Sequence, residues 1–338
     1  MMVFILEAGL FFGNIHTIFP SLPKKDFGQS EKFDKENIEY MKKIEKTLEG
    51  SISYTFFSII FALGLLGLCL LGIIFCIVYV VLCFLQKSLF YIKRSVFTQC
   101  MAFNFGDLVR FFIVYWFLYT CLKFIIFGIF VFSVKLGFDQ KCFKGTSIYL
   151  SLVFTDILPI WFIIKFLKNK YSQGIDFLGI DFIQPVKKAV YGLCVYISSL
   201  PFVVSSLAVA FIVAEYFKYE TAPHPIIPIV LQESSQVDIS FLMIFACIVG
   251  PVTEEIFFRG ILYPVLKRRA GVFVSAILSS AFFAFLHFDP VAFFGVFIMG
   301  LFFVYLYEKT GSLMPCFFVH ILHNSVMMIL VLFFKKCF

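Results

Sequence analysis

Charged residues are scarce in this sequence. Asp, Glu, Lys and Arg make up only 14% of its 338 residues, while hydrophobic residues make up 61%. A soluble domain carries about 25% charged residues. The composition therefore excludes an ordinary soluble protein and predicts an all-α, polytopic integral membrane protein, which would lie in the plasma (inner) membrane if the source is bacterial.

Several familiar functional signatures are also missing. The net charge of +7 is not concentrated in a basic stripe interleaved with aromatic residues, and there is no glycine-rich phosphate loop. We therefore expect no nucleic-acid partner. The ten cysteines form no CxxC pair, which argues against a redox or metal site built from them.

Long apolar runs dominate the remaining sequence. A transmembrane helix needs about 20 predominantly apolar residues. Runs of this kind predict about eight transmembrane helices: Tyr54–Leu85, Phe111–Val134, Ser147–Ile164, Ala189–Ala214, Ile239–Leu266, Gly271–Phe288, Val291–Tyr307 and Leu313–Phe334.

The chain divides into three parts by composition. Residues 1–50 form a polar, amphipathic N-terminal segment, and residues 51–238 form transmembrane helices without a recognisable motif. Within the second part, Lys123 and Asp156 lie near the middle of consecutive spans, and we predict a buried ion pair between them. The alternative is that each of the two side chains reaches water by itself. Residues 239–334 are different, because they contain a dense set of ionisable side chains within apolar helices.

The first polar group is the stretch "EEIFFRG", from Glu254 to Gly260. A charged residue at the centre of a membrane helix costs roughly 2.5–3.5 kcal/mol, so we expect these residues to have a function. Glu255 and Arg259 have i,i+4 spacing with the acid first, which favours an ion pair. Glu254 points about 100° away on the helix and is left for chemistry.

Two further polar groups follow on later helices. His287 ends the apolar stretch "SSAFFAFLHF", and His320 and Asn324 share one helix face through i,i+4 spacing. A carboxylate, two histidines and an amide suit the hydrolysis of a peptide bond. The carboxylate would activate a water molecule, the histidines would hold the water or transfer a proton, and the amide would donate a hydrogen bond to the oxyanion.

A metal site is the alternative chemistry. One glutamate and two histidines match the ligands of a catalytic zinc ion in type, so a divalent metal such as zinc stays open as a cofactor of a metallopeptidase. The sequence contains no HExxH helix.

Three motifs occur here in a fixed order: EExxxRG at Glu254–Gly260, FxxxH at Phe283–His287 and HxxxN at His320–Asn324. Together with the stretch "TGSLMPCFFVHILHN", they resemble the CPBP (CAAX protease and bacteriocin-processing, or Abi) family of intramembrane proteases, which includes the CAAX prenyl endopeptidase. The resemblance covers roughly Ile239 to Leu330.

The resemblance implies a role for each matching residue. Glu254 would activate the water, His287 and His320 would assist, and Asn324 would stabilise the oxyanion. Glu255 and Arg259 would be mainly structural. The family has been described both as glutamate-dependent and as metal-dependent, so the resemblance does not decide the cofactor.

We therefore predict an intramembrane endopeptidase acting on a membrane-associated protein or peptide. The alternatives are a non-proteolytic scaffold or immunity-type protein and, less favoured, a transporter, for which no inverted repeat is visible. The protease hypothesis carries a geometric requirement. Glu254 and His287 can meet only if the fifth helix continues through "ILYPVLKRR", Ile261–Arg269.

Overall fold

A computed structural model of the chain describes residues 52–85, 104–135, 140–171, 178–218, 230, 235–287 and 289–336. The predicted N-terminal segment, residues 1–50, lies outside them. The described residues form helices and no strand, in this order: α1 Ile52–Phe84, α2 Phe105–Lys135, α3 Gln140–Tyr171, α4 Pro185–Tyr216, α5 Gln236–Ile244, α6 Gly250–Phe257, α7 Tyr263–Phe285, α8 Ala292–Thr310 and α9 Met314–Lys336.

Six helical runs in this part of the chain are long and apolar enough to cross a membrane: Ile59–Phe84, Phe105–Ile126, Pro185–Tyr216, Gln236–Phe285, Ala292–Thr310 and Met314–Phe333. The prediction of an all-α polytopic membrane protein is thereby confirmed. The run Gln236–Phe285 contains two of the predicted spans, because the chain turns back inside it.

Two short π-helical segments interrupt this run. Phe245–Val249 joins α5 to α6, and Phe258–Leu262 joins α6 to α7. Each segment ends two residues before a proline, Pro251 or Pro264. Proline has no N–H to donate to the carbonyl four residues earlier, so the regular α-helical pattern cannot continue there. The widened turns flank the helix that carries Glu254 and Glu255.

Gly271 is the point at which the chain turns back. Its φ of 74° and ψ of 178° lie in a region that only glycine adopts readily. Arg259 and Phe283, each twelve residues from Gly271, consequently face each other, with the guanidinium carbon 4.4 Å from the ring centroid. The stretch Ile261–Arg269 is helical throughout. Glu254 and His287, seventeen and sixteen residues from the turn, therefore reach similar depths, as the sequence argument required.

Helices α8 and α9 pack against α4. Helix α8 runs antiparallel to α4: Tyr191 donates a hydrogen bond to Tyr305 over 3.0 Å, and Leu207 packs against Gly295 further along. Helix α9 runs parallel to α4 and approaches it closely at Gly192, where an added Cβ would lie 3.0 Å from a Val319 methyl carbon. Helix α9 reaches α6 through His320 and Glu255, and α8 reaches the π-helical segment after α6 through Gly300 and Arg259.

Helices α1, α2 and α3 pack around this assembly. Helix α1 contacts α4 at Gly72, where an added Cβ would lie 2.3 Å from the carbonyl oxygen of Ile197. Helix α2 packs Phe111 and Phe112 against Phe257 of α6. Helix α3 contacts α6 through Asp156, which is buried. The side chain of Lys123 lies outside the described residues, so its predicted ion pair with Asp156 stays a prediction.

Candidate active site

Glu255 and Arg259 form a fully buried ion pair. Arg259 Nη1 donates to Glu255 Oε1 over 3.1 Å, and neither side chain has measurable exposure. Arg259 Nη2 donates to the carbonyl oxygen of Gly300 over 3.2 Å. The guanidinium group also lies against the faces of Phe283 and Phe303. Two hydrogen bonds and two aromatic rings thus surround this buried cation.

His320 lies between the two adjacent glutamates. Its Nδ1 is 2.9 Å from Glu255 Oε1, and its Nε2 is 3.7 Å from Glu254 Oε2. A carboxylate accepts only, so Nδ1 carries the hydrogen in the bond to Glu255. Sequence reasoning missed this contact, because helical spacing relates residues within one helix and Glu255 lies on α6 while His320 lies on α9.

Aromatic residues fix the orientation of the His320 ring. The Phe303 ring stacks on it with centroids 5.1 Å apart, and the Phe283 ring meets its edge at 5.9 Å. Phe303 therefore covers one face of the imidazole ring, and Nδ1 is held by its hydrogen bond to Glu255. Nε2 consequently points toward Glu254. The Glu254 side chain keeps 22% of its surface exposed, whereas that of Glu255 keeps none.

His287 follows the end of α7, at a depth close to that of Glu254. Its Nδ1 donates to the carbonyl oxygen of Phe283 over 2.9 Å, because a carbonyl can only accept. With the hydrogen on Nδ1, Nε2 of the neutral imidazole is a hydrogen-bond acceptor.

Asn324 contacts the first π-helical segment. Its Nδ2 donates to the carbonyl oxygen of Ala246 over 2.9 Å. A side-chain amide carries two N–H groups, and this hydrogen bond uses one of them. The bond attaches α9 to the widened turn that precedes Glu254, which gives Asn324 a structural contact that the sequence did not reveal.

His323 points to a different neighbour. Its Nδ1 lies 3.0 Å from the hydroxyl oxygen of Tyr196 on α4, and the two rings meet edge to face. The residue lies between His320 and Asn324 in the sequence, yet it contacts the supporting helix. We therefore assign it no chemical role.

Metal binding is the alternative chemistry for the side chains of this site. Glu254, His287 and His320 match zinc ligands in type. Within the part of the chain that the structure describes, however, no three His, Cys, Asp or Glu side chains are grouped closely enough to hold a metal ion. The residues do not fit a metal centre, and we derive no reaction step through one.

Comparisons with known proteins agree with the location of this cluster. Residues 236–326 match the protein-family model described as Type II CAAX prenyl endopeptidase Rce1-like. Over 94 residues the chain is 31% identical to the Bacillus subtilis (strain 168) protein named "Putative membrane peptidase YdiL". That alignment covers 28% of this chain and 38% of the relative's length. No solved structure matches the chain.

Proposed function

We propose, on the premise that residues 236–326 belong to the CPBP family, that this protein is an intramembrane endopeptidase. It hydrolyses a peptide bond of a membrane-associated protein or peptide by means of a water molecule that Glu254 activates. The observation that supports this proposal best is the placement of His320 between a fully buried glutamate and a partly exposed one.

The two glutamates have different tasks in this mechanism. The Arg259 guanidinium neutralises Glu255, so Glu255 is unsuited to accept a proton from water. Glu255 instead orients His320 by accepting the Nδ1 hydrogen, as the buried carboxylate of a catalytic triad orients its histidine. Glu254 makes no ion pair with an arginine or lysine among the described residues and acts as the general base.

The nucleophilic water binds between Glu254 and His320. The 3.7 Å separation of Glu254 Oε2 from His320 Nε2 is longer than a direct hydrogen bond, and one water molecule beside them can contact both atoms. His287 offers its Nε2 as a further acceptor. Glu254 takes a proton from the water, and the resulting hydroxide attacks the carbonyl carbon of the scissile peptide bond.

The tetrahedral intermediate carries its negative charge on the former carbonyl oxygen. The N–H group of Asn324 that is not given to Ala246 donates a hydrogen bond to this oxyanion. When the intermediate collapses, the C–N bond breaks and protonated Glu254 returns its proton to the leaving amine. The products are a carboxylic acid and an amine, which exchange a proton to become a carboxylate and an ammonium group, and Glu254 ends the cycle as a carboxylate.

A cleavage assay tests the proposal. The full chain is reconstituted into liposomes with a defined mixture of membrane-associated peptides, and new peptide termini are identified by mass spectrometry. We expect wild-type protein and the exposed-surface control Glu215→Gln to produce the same termini. Glu254→Gln should lower the rate about 100- to 10,000-fold, because a general base contributes that much. Equal cleavage by Glu254→Gln would refute the proposal.

A further inference from the structure

Two helices with backbone irregularities meet beside Glu254. The first π-helical segment ends at Val249, and α3 contains Pro159 within its length. A proline inside a helix removes one hydrogen bond and opens the turn that precedes it. Within a membrane, serine and threonine side chains commonly bond the backbone carbonyls that such irregularities leave open.

Thr253 bonds a carbonyl from each irregularity. Its hydroxyl oxygen lies 2.8 Å from the carbonyl oxygen of Val249 and 3.1 Å from that of Asp156 on α3. Asp156 lies three residues before Pro159 and next to Thr155, whose carbonyl loses its helical hydrogen bond to the proline. Thr253 and Asp156 are both buried. One hydroxyl hydrogen, shared between two carbonyls, therefore joins α3 to the start of α6.

The consequence for Glu254 follows from its position next to Thr253. Glu255 and Arg259 anchor one face of this region to α9 and α8 through His320 and Gly300. The face that carries Thr253 has its own anchor on α3, and one turn later Phe257 packs on Phe111 and Phe112 of α2. Glu254 lies between the two anchored faces, so both determine where its carboxylate points.

We propose that Thr253 is a positioning residue, which holds the Glu254 carboxylate toward His320 by attaching α6 to α3. This inference rests on the proposed function for its catalytic consequence. The proposal assigns a role in positioning Glu254 to α3, which lies outside residues 236–326. Asp156 of α3 supplies one of the two carbonyls that Thr253 bonds. Thr253 itself touches neither the water nor the peptide.

Two pairs of variants isolate the hydroxyl. Thr253→Val keeps the size and branching of the side chain and removes the hydroxyl, while Thr253→Ser keeps the hydroxyl and removes the methyl group. Should the valine variant fail to fold, Thr253→Ala and Thr253→Ser form a second pair that differs in the hydroxyl alone. Thermal unfolding in detergent identifies the folded variants.

The first readout needs no substrate. N,N′-dicyclohexylcarbodiimide modifies carboxyl groups within membranes, and mass spectrometry reports the labelling rates of Glu254 and of the exposed residue Glu215 separately. We expect the labelling rate at Glu254 to change about two- to tenfold in Thr253→Val, because the net free energy of one hydrogen bond corresponds to a factor of about that size. The serine variant should label at the wild-type rate, and Glu215 should be unaffected in both variants.

The second readout is peptide cleavage. We expect Thr253→Val to lower kcat about two- to tenfold with KM unchanged, and Thr253→Ser to restore it. Wild-type labelling at Glu254 in the valine variant, or equal rates in the alanine and serine variants, would overturn the positioning role. Failure of the proposed function is distinguishable, because it appears as absent cleavage by the wild type while labelling still reports on Thr253.

Discussion

His320 on α9 and Glu255 on α6 share a buried hydrogen bond of 2.9 Å between Nδ1 and Oε1. This bond explains why two adjacent glutamates occur inside an apolar helix. Glu255, the buried one of the two, forms an ion pair with Arg259 and orients the imidazole of His320. The neighbouring Glu254 faces the other ring nitrogen of His320 at 3.7 Å, and it is the base in the proposed mechanism.

Removal of Arg259 should strongly destabilise the fold. In Arg259→Ala, Glu255 would stay buried without its cation, which typically costs about 3–5 kcal/mol. Thermal unfolding in detergent measures the loss. The matched control is Arg269→Ala, since Arg269 is exposed and lies over the Phe105 ring. Similar unfolding temperatures for the two variants would show that the buried pair does not hold the site together.

Substitution of His287 by Asn should lower the rate of peptide cleavage and leave the stability of the fold unchanged. The amide of Asn can replace Nδ1 as donor to the Phe283 carbonyl, yet it has no atom at the place of Nε2. We expect His287→Asn to fold normally and to lose about 100-fold or more of peptide cleavage. The contradicting outcome is a variant that unfolds at the wild-type temperature and cleaves at the wild-type rate.

The contact of α1 with α4 should depend on Gly72 and not on Gly67. An added Cβ at Gly72 would lie 2.3 Å from the carbonyl oxygen of Ile197, whereas nothing lies within 4 Å of one at Gly67. Gly72→Ala should therefore destabilise the protein by about 1–3 kcal/mol, and Gly67→Ala should not. Unfolding curves for the two variants test this contact. Coinciding midpoints would contradict the prediction.

Peptide cleavage should continue when divalent metals are removed. The proposed mechanism uses only Glu254, His287, His320 and Asn324, and Arg259 neutralises the second glutamate. The liposome assay in the presence of EDTA or 1,10-phenanthroline measures this directly. Activity that disappears with chelator and returns with zinc would replace the glutamate mechanism by a metallopeptidase one.

Much of the fold could be predicted from apolar runs, because length and hydropathy determine which segments can cross a membrane. Seven of the eight predicted segments overlap helical runs that are long and apolar enough to cross a membrane, two of them within the run Gln236–Phe285. The eighth, Ser147–Ile164, lies within α3, which is not among those runs. The family resemblance drawn from three motifs agrees with the family model that matches residues 236–326, which is described as Type II CAAX prenyl endopeptidase Rce1-like. The predicted span Gly271–Phe288 begins at the residue where the chain turns back, and this turn brings Glu254 and His287 to similar depths.

The π-helical segments could not be predicted from hydropathy, since an α-turn and a π-turn carry the same apolar residues. The signal was present in Pro251 and Pro264, each two residues after such a segment. Contacts between helices were equally hidden from the sequence. The bond between Glu255 and His320 and the attachment of Thr253 to Asp156 depend on tertiary packing, which helical spacing does not encode.

The most direct test of the central claim follows the oxygen atom of the nucleophile. Peptide cleavage is run in water enriched in oxygen-18, and mass spectrometry measures the label in each new carboxyl terminus at early times. Wild-type protein should place one labelled oxygen in each new terminus, as any peptide hydrolysis does. The claim for Glu254 predicts that Glu254→Gln forms no new termini at these early times. Labelled termini formed by Glu254→Gln at the wild-type rate would contradict the account.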